Sequence, residues 1–152
     1  MKIEVKSNQQ KFEALKKFNL PIGQYAVTAS GPLGIRNLRE IQDVDIIVSI
    51  ELWNELASQY GVMDVDGVMK IAFPGEDIEA FTEGSFYTKA NDPDAPSIVE
   101  RISQAEIIDG LPFESLENIL LFKRKMKREK DLKDIQLIEA WQNAQKANHR
   151  LN

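Results

Sequence analysis

The sequence predicts a mixed α/β fold, one mixed sheet with helices packed against it, and three observations carry that reading. A chain of 152 residues is the size of one ordinary domain. An apolar, β-branched run at 43–50 (DVDIIVSI) lies between segments whose apolar residues recur at helical spacing. Asp-Gly pairs at 66–67 and 109–110, each between short apolar runs, predict hairpins. Hydrophobic residues make up 43% of the chain and charged residues 28%, a mixture that builds a packed core and departs from the composition of disorder.

Residues 8–18 set Phe12, Leu15 and Phe18 three apart, which predicts a short amphipathic helix ended by Leu20-Pro21 and Gly23. The segment 25–30 reads as a strand. Ser30-Gly31-Pro32 has the chemistry of a helix start, and that helix is expected to run to about Ile41. The buried-looking strand at 43–50 precedes a helix over 51–60, spaced through Leu52, Leu56 and Tyr60 before Gly61. The Asp66-Gly67 hairpin and a short strand at 78–81 make the middle of the chain mainly sheet. Residues 84–98 are rich in turn formers and predict a long loop, followed by a helical turn or two at 98–104. After the second hairpin, Ser115 is placed to cap a helix holding Leu116, Ile119 and Leu120. A final helix over roughly 131–147 is expected to present Leu132, Ile135, Ile138 and Trp141 to a core.

The chain has no cysteine and a single histidine, His149, three residues from its C-terminal end. Disulfide frameworks and thiolate zinc sites are excluded, and the metal chemistry that remains uses oxygen ligands, which suit Mg²⁺, Mn²⁺ or Ca²⁺. No run approaches 18 apolar residues and the first ten residues hold no apolar signal core, so a cytoplasmic protein that neither spans a membrane nor is exported is expected. The net charge of −5 conceals a segregation: residues 1–42 carry seven basic and three acidic side chains, 43–117 three and seventeen, 118–152 nine and four. An acidic middle between basic ends suits a cation site flanked by phosphate-binding groups, and it is equally the pattern of solvated surface charge.

The sharpest local feature is Asp43-Val44-Asp45. Side chains two apart on a strand share a face, so both carboxylates are able to converge on one cation. On an otherwise apolar strand they repel each other unless neutralised, which gives a cation a physical motive. The turn before this strand, with Ser30 and Gly31, offers a hydroxyl and close backbone approach to a phosphate at an expected helix N-terminus.

Ala29-Ser30, twelve intervening residues and then Asp43-Val44-Asp45 resemble the signature of the nucleotidyltransferase superfamily typified by DNA polymerase beta, with Ala29 where that family usually has glycine. The resemblance implies the nucleotidyltransferase fold, Mg²⁺ or Mn²⁺ on Asp43 and Asp45, and distal phosphates on Ser30 and Gly31. It further implies a third carboxylate from a later strand, as metal ligand or general base; Glu79 is the best match and Asp77 the reserve. Lys123, Arg128 and the segment Lys130-Asp131-Leu132-Lys133-Asp134-Ile135 are similar to a pattern in small nucleotidyltransferase-like proteins of the abortive-infection toxin type. That implies a catalytic Lys123, with Arg128 and Lys130 on the nucleotide. Read from the residues alone, Lys123 continues the apolar series 116, 119, 120, so its ammonium is aimed along the core-facing stripe, where a phosphate, an active-site carboxylate or a structural ion pair satisfies it. Arg36 and Arg39, three apart after the phosphate turn, are candidate contacts of a triphosphate or an acceptor.

The expected activity is metal-dependent transfer of a nucleoside monophosphate from a nucleoside triphosphate to a hydroxyl acceptor on RNA, protein or a small molecule. The alternative is a catalytically degenerate relative that binds a nucleotide, nucleic acid or protein partner, a toxin–antitoxin pairing among them.

Overall fold

The computed structural model describes residues 5–85 and 88–151; Phe86 and Tyr87, within the expected long loop, lie outside the described residues. The chain forms α1 (Asn8–Lys16), β1 (Tyr25–Thr28), α2 (Gly31–Gly34), β2 (Val44–Val48), α3 (Ile50–Tyr60), β3 (Met63–Val65), β4 (Val68–Ala72) and β5 (Ile78–Phe81). It continues through α4 (Ile98–Ser103), β6 (Glu106–Ile108), β7 (Leu111–Phe113), α5 (Leu116–Met126) and α6 (Glu129–Leu151). The strands make one mixed sheet in the order β3-β4-β5-β2-β1-β7-β6. Pairing is antiparallel except for β1 with β7 and β2 with β5. The mixed α/β class read from the sequence is the class observed. No helix is long and apolar enough to cross a membrane among the described residues.

Local chemistry explains the boundaries. Ser7, Ser49, Ser97 and Ser115 each cap a helix, their hydroxyls accepting from Gln10, Leu52, Glu100 and Asn118 backbone N–H groups. Both expected hairpins form. Their turns need two successive positive φ angles, supplied by Asp66 and Gly67 (54° and 85°) and by Asp109 and Gly110 (51° and 82°).

Period-two alternation sorts the sheet into two faces. One carries Tyr25, Val27, Val44, Ile46, Val48, Ile78, Ala80 and Phe113 against α1 and α3, forming the larger core. The opposite face carries Ala26 and Ile47 against Ile98 and Ile102 of α4. Beside them on that second face stand Thr28, Asp45 and Glu79. A further apolar cluster, Leu33, Leu116, Ile119, Leu120 and Ile138, joins α5 and α6 to the α2 segment.

Three expectations are corrected. The helix after Ser30 is a single turn instead of reaching Ile41. Asn37 takes a left-handed φ of 58°, Leu38 N–H bonds back to Leu33 C=O and Asn37 N–H to Gly34 C=O, a helix-terminating motif. The Asn8 amide then straps the following segment to α1, donating to Arg39 C=O at 2.8 Å and accepting from Ile41 N–H at 3.0 Å. The final helix starts at Glu129 and extends to Leu151, and Leu132 faces solvent, half exposed. Asp131 and Asp134 take the inward positions with Ile138, because they meet cations there.

Gly31 is the third correction. A Cβ at this position would lie 2.2 Å from Val27 Cγ1, and Val27 is fully buried and β-branched, with little freedom to turn away. The glycine is required for α2 to sit on β1, and it is buried under the turn rather than presented to a phosphate. Gly31→Ala should therefore lower stability by about 1–3 kcal/mol, the range for overpacking, in urea unfolding. A double-mutant cycle with Val27→Ala should show positive coupling; additive losses would place the cost elsewhere.

Candidate functional site

A cleft of about 600 Å³ opens where the start of β2 faces α5 and α6. Its walls include Ala29, Ser30, Arg39, Asp43, Asp45, Lys123, Arg128, Lys130, Lys133 and Asp134. Seven of the residues read from the sequence as site candidates are thus brought together: Ser30, Arg39, Asp43, Asp45, Lys123, Arg128 and Lys130. A larger surface hollow of about 840 Å³ lies along α1, but its carboxylates Glu13 and Glu76 are already paired with Lys16 and Lys6.

Strand alternation aims Asp43 and Asp45 into this cleft from one sheet face. No hydrogen bond or ion pair ends on either carboxylate among the described residues. Burial pushes the Asp45 carboxyl up to about 7, helped by repulsion from Glu79 and then Asp43. Asp43 is also raised, by burial first and then by Glu79 and Asp77.

The opposite wall is basic, and part of it is internally neutralised. Asp134 and Asp131, 3% and 0% exposed, receive Lys123 Nζ at 2.9 and 3.6 Å. Arg39 grips Asp134 with Nε at 2.7 Å and Nη2 at 2.8 Å. Arg128 grips Asp131 with Nε at 2.7 Å, Nη2 at 3.2 Å and its backbone N–H at 3.1 Å. Burial alone would raise both aspartates; for Asp131 the hydrogen bonds and charge of Arg128 with Lys123 overcome it, for Asp134 those of Arg39 and Lys123, and both carboxyls end below the usual range. Of the alternatives open for Lys123, the structure shows the ion pair. Lys130 and Lys133, both exposed, make no ion pair among the described residues and are the cations of this wall available to a ligand.

The other expected site residues lie elsewhere. Arg36 turns away from the cleft: its Nη1 donates to Pro32 C=O at 2.7 Å, its guanidinium lies 5.1 Å over the Trp141 ring, and Glu106 is 3.3 Å away. Trp141 is partly buried and packs against the apolar cluster of α5 and α6. Gly31 is packed beneath the turn. Glu79 stands beside Asp45 in the β2–β5 register, with its carboxylate in an ion pair with Lys70 of β4. The phosphate turn also differs from expectation, since a one-turn helix with a proline at its start has little dipole and few free N–H groups. Ala29, where the resemblance looks for glycine, takes a left-handed φ of 56°, the conformation that glycine adopts without cost.

Sequence reasoning missed a buried cluster next to the cleft. Arg101 of α4 holds Glu114 through both carboxylate oxygens, Nη2 to Oε1 at 2.9 Å, and Thr28 Oγ1 donates to the same carboxylate. These three line a small cavity of about 50 Å³ that reaches Asp45 and Ala29. Two signals were present: an arginine between Ile98 and Ile102 on a short helix, and a carboxylate following the apolar strand Leu111–Phe113.

Among the described residues, no three or more His, Cys, Asp or Glu side chains form a group that could hold a metal ion. The donor set that does fit a hard divalent cation is the pair Asp43 and Asp45: two carboxylates that make no ion pair among the described residues, one of them strained toward protonation, in a cleft with room for water and phosphate oxygens to complete the shell. Comparison with protein families, curated proteins and solved structures finds no match.

Two expectations follow. Between the ordinary carboxylate pKa and about 7, the folded chain holds a proton at Asp45 that the unfolded chain has lost, so this group's contribution to stability declines as pH climbs through that window and is flat above it. Asp45→Asn should remove that decline and stabilise the metal-free protein at pH 8 by on the order of 1–3 kcal/mol; an unchanged pH profile in thermal unfolding would contradict it. Asp131 and Asp134 act with opposite sign, adding stability above the usual carboxylate range that is lost as pH falls below it. Lys123→Met should cost about 2–3 kcal/mol, less than the roughly 3–5 kcal/mol of stranding a buried charge, because Arg39 and Arg128 still hold the two aspartates. Chemical denaturation reads this directly.

Proposed function

We propose that the chain is a metal-dependent nucleotidyltransferase, moving a nucleoside monophosphate from a nucleoside triphosphate to a hydroxyl acceptor. The observation that carries the reading is the cleft itself, with uncompensated Asp43 and Asp45 on one wall and exposed Lys130 and Lys133 on the other. Such a cleft matches the two needs of a bound triphosphate, a divalent cation for its oxygens and fixed cations for its remaining charge.

In this reading Asp43 and Asp45 hold Mg²⁺ or Mn²⁺, which neutralises phosphate charge when bound. Asp45 would hold the cation in its deprotonated form. Ser30 offers a hydroxyl donor at the floor, and Lys130 and Lys133 draw the triphosphate in. Lys123 works through its partner: by fixing Asp134 it fixes the Arg39 guanidinium at the rim. Catalysis of this kind is mainly positioning and electrostatics, so a short set of groups suffices.

The engagement of Glu79 with Lys70 favours a second reading, a degenerate relative that binds a nucleotide, nucleic acid or protein partner without turnover, because the expected base is held in an ion pair. Calorimetry with a non-hydrolysable triphosphate should show binding only with Mg²⁺ or Mn²⁺, weakened at least tenfold in the double variant Asp43→Asn, Asp45→Asn. Cation-independent binding would defeat the metal assignment. Incubation with α-labelled triphosphates and host RNA or protein extracts should then transfer label, and binding without transfer selects the second reading.

A further inference from the structure

The register of four strands lines up a polar row across the second face of the sheet. Parallel β7 and β1 set Phe113 beside Val27, which brings Glu114 beside Thr28. Antiparallel β1 and β2 pair Thr28 with Asp45, and parallel β2 and β5 pair Asp45 with Glu79. Neighbouring strands lie roughly 4.7–4.9 Å apart, so Asp45 and Glu79, on adjacent β2 and β5, repel each other. Each end carries its own cation. Arg101 neutralises Glu114, and Lys70, two residues before the β4 residue Ala72 that pairs with Glu79, neutralises Glu79. The order is Arg101, Glu114, Thr28, Asp45, Glu79, Lys70: cations outside, and in the middle a carboxylate without one.

Resting on the cation reading above, the charges then limit what the cleft accepts. Asp43, Asp45 and Glu79 carry three negative charges when ionised and Lys70 returns one, so the remainder equals one divalent cation. We propose that Lys70 is a resident cation standing in place of a second metal ion, so that the site takes a single divalent ion on Asp43 and Asp45 while Glu79 is held off as the lysine's partner. The third carboxylate is thereby a positioning residue. It anchors the Lys70 ammonium beside the site, and the ammonium limits the negative charge that the single ion meets. Lys70 is well placed for this: its side chain is about a quarter exposed, and its ammonium feels Asp45 and Asp43 as well as Glu79.

The test is Mn²⁺ binding to the full chain, followed by electron paramagnetic resonance without nucleotide, which reads stoichiometry independently of turnover. Wild type should bind one Mn²⁺. Lys70→Met should bind two, or bind the first at least tenfold more tightly; Lys70→Arg, which keeps the charge, should return to one; and Lys70→Met with Glu79→Gln should also return to one. Lys70→Gln serves as a second neutral variant, with circular dichroism confirming that each folds. Two ions on wild type would overturn the proposal and leave the cation reading standing. So would one ion in both wild type and Lys70→Met with equal affinity, provided Asp45→Asn abolishes it. Absence of Mn²⁺ binding in every variant would bring down both.

Discussion

Asp134 is the point at which three separate parts of the chain meet. It lies on α6, accepts the Lys123 ammonium from α5, and accepts a two-pronged grip from Arg39 in the segment that leads into β2. Its burial is tolerable because these cations hold it, and Arg39 and Lys123 are in turn positioned by it. The α5–α6 pair is therefore fastened by charge to the segment that leads into β2 and by the apolar cluster around Ile138 to the α2 segment. The charged fastening lines the cleft, through Arg39, Lys123 and Asp134.

That geometry sets up a contrast between two kinds of buried carboxylate. Asp131 and Asp134 are matched by cations and sit below the usual carboxylate range, so they hold structure. Asp45 is in no ion pair and is pushed up to about 7, so it holds a cost that a cation, if one were bound, would relieve. Desolvation acts on all three; whether the carboxylate is gripped in an ion pair decides which side of the ordinary value it falls on. Strain of the second kind is what a binding site stores and a scaffold avoids.

Much of this was legible because it depends on short-range periodicity. The period-two alternation placed Asp43 and Asp45 on one face, the Asp-Gly pairs located both hairpins, and Lys123 on an apolar stripe announced a buried ammonium. What was not legible depends on pairing between distant elements. Nothing local to Glu79 reveals that β4 brings Lys70 to it. Arg36 and Arg39 look equivalent in the sequence, yet one lies over Trp141 and the other on Asp134, because α2 stops after one turn and the chain rotates between them. The stop itself had a local signal in Asn37, which a helical reading of Leu33 through Ile41 passed over. Leu132 was expected inward on hydrophobicity alone; two aspartates with cation partners displaced it, a case of specific charge pairing overriding the apolar pattern.

Arg39 and Asp134 are 95 residues apart in the chain, and this separation has a consequence for how the protein comes into being. On the ribosome the strands bearing Asp43 and Asp45 emerge well before Lys130 and Lys133. At about 5–20 residues per second, the interval is roughly 4–17 seconds. During it, the growing chain has added a stretch, 43–117, with seventeen acidic and three basic side chains. Sheet and apolar core are free to assemble in that time, since α1, α3 and β1 to β5 are already synthesised. The cleft is not, because one of its walls does not yet exist. Until α6 has been made and has folded back onto Arg39, the chain lacks the basic wall, so the cleft takes shape only after the strand that carries its acidic wall.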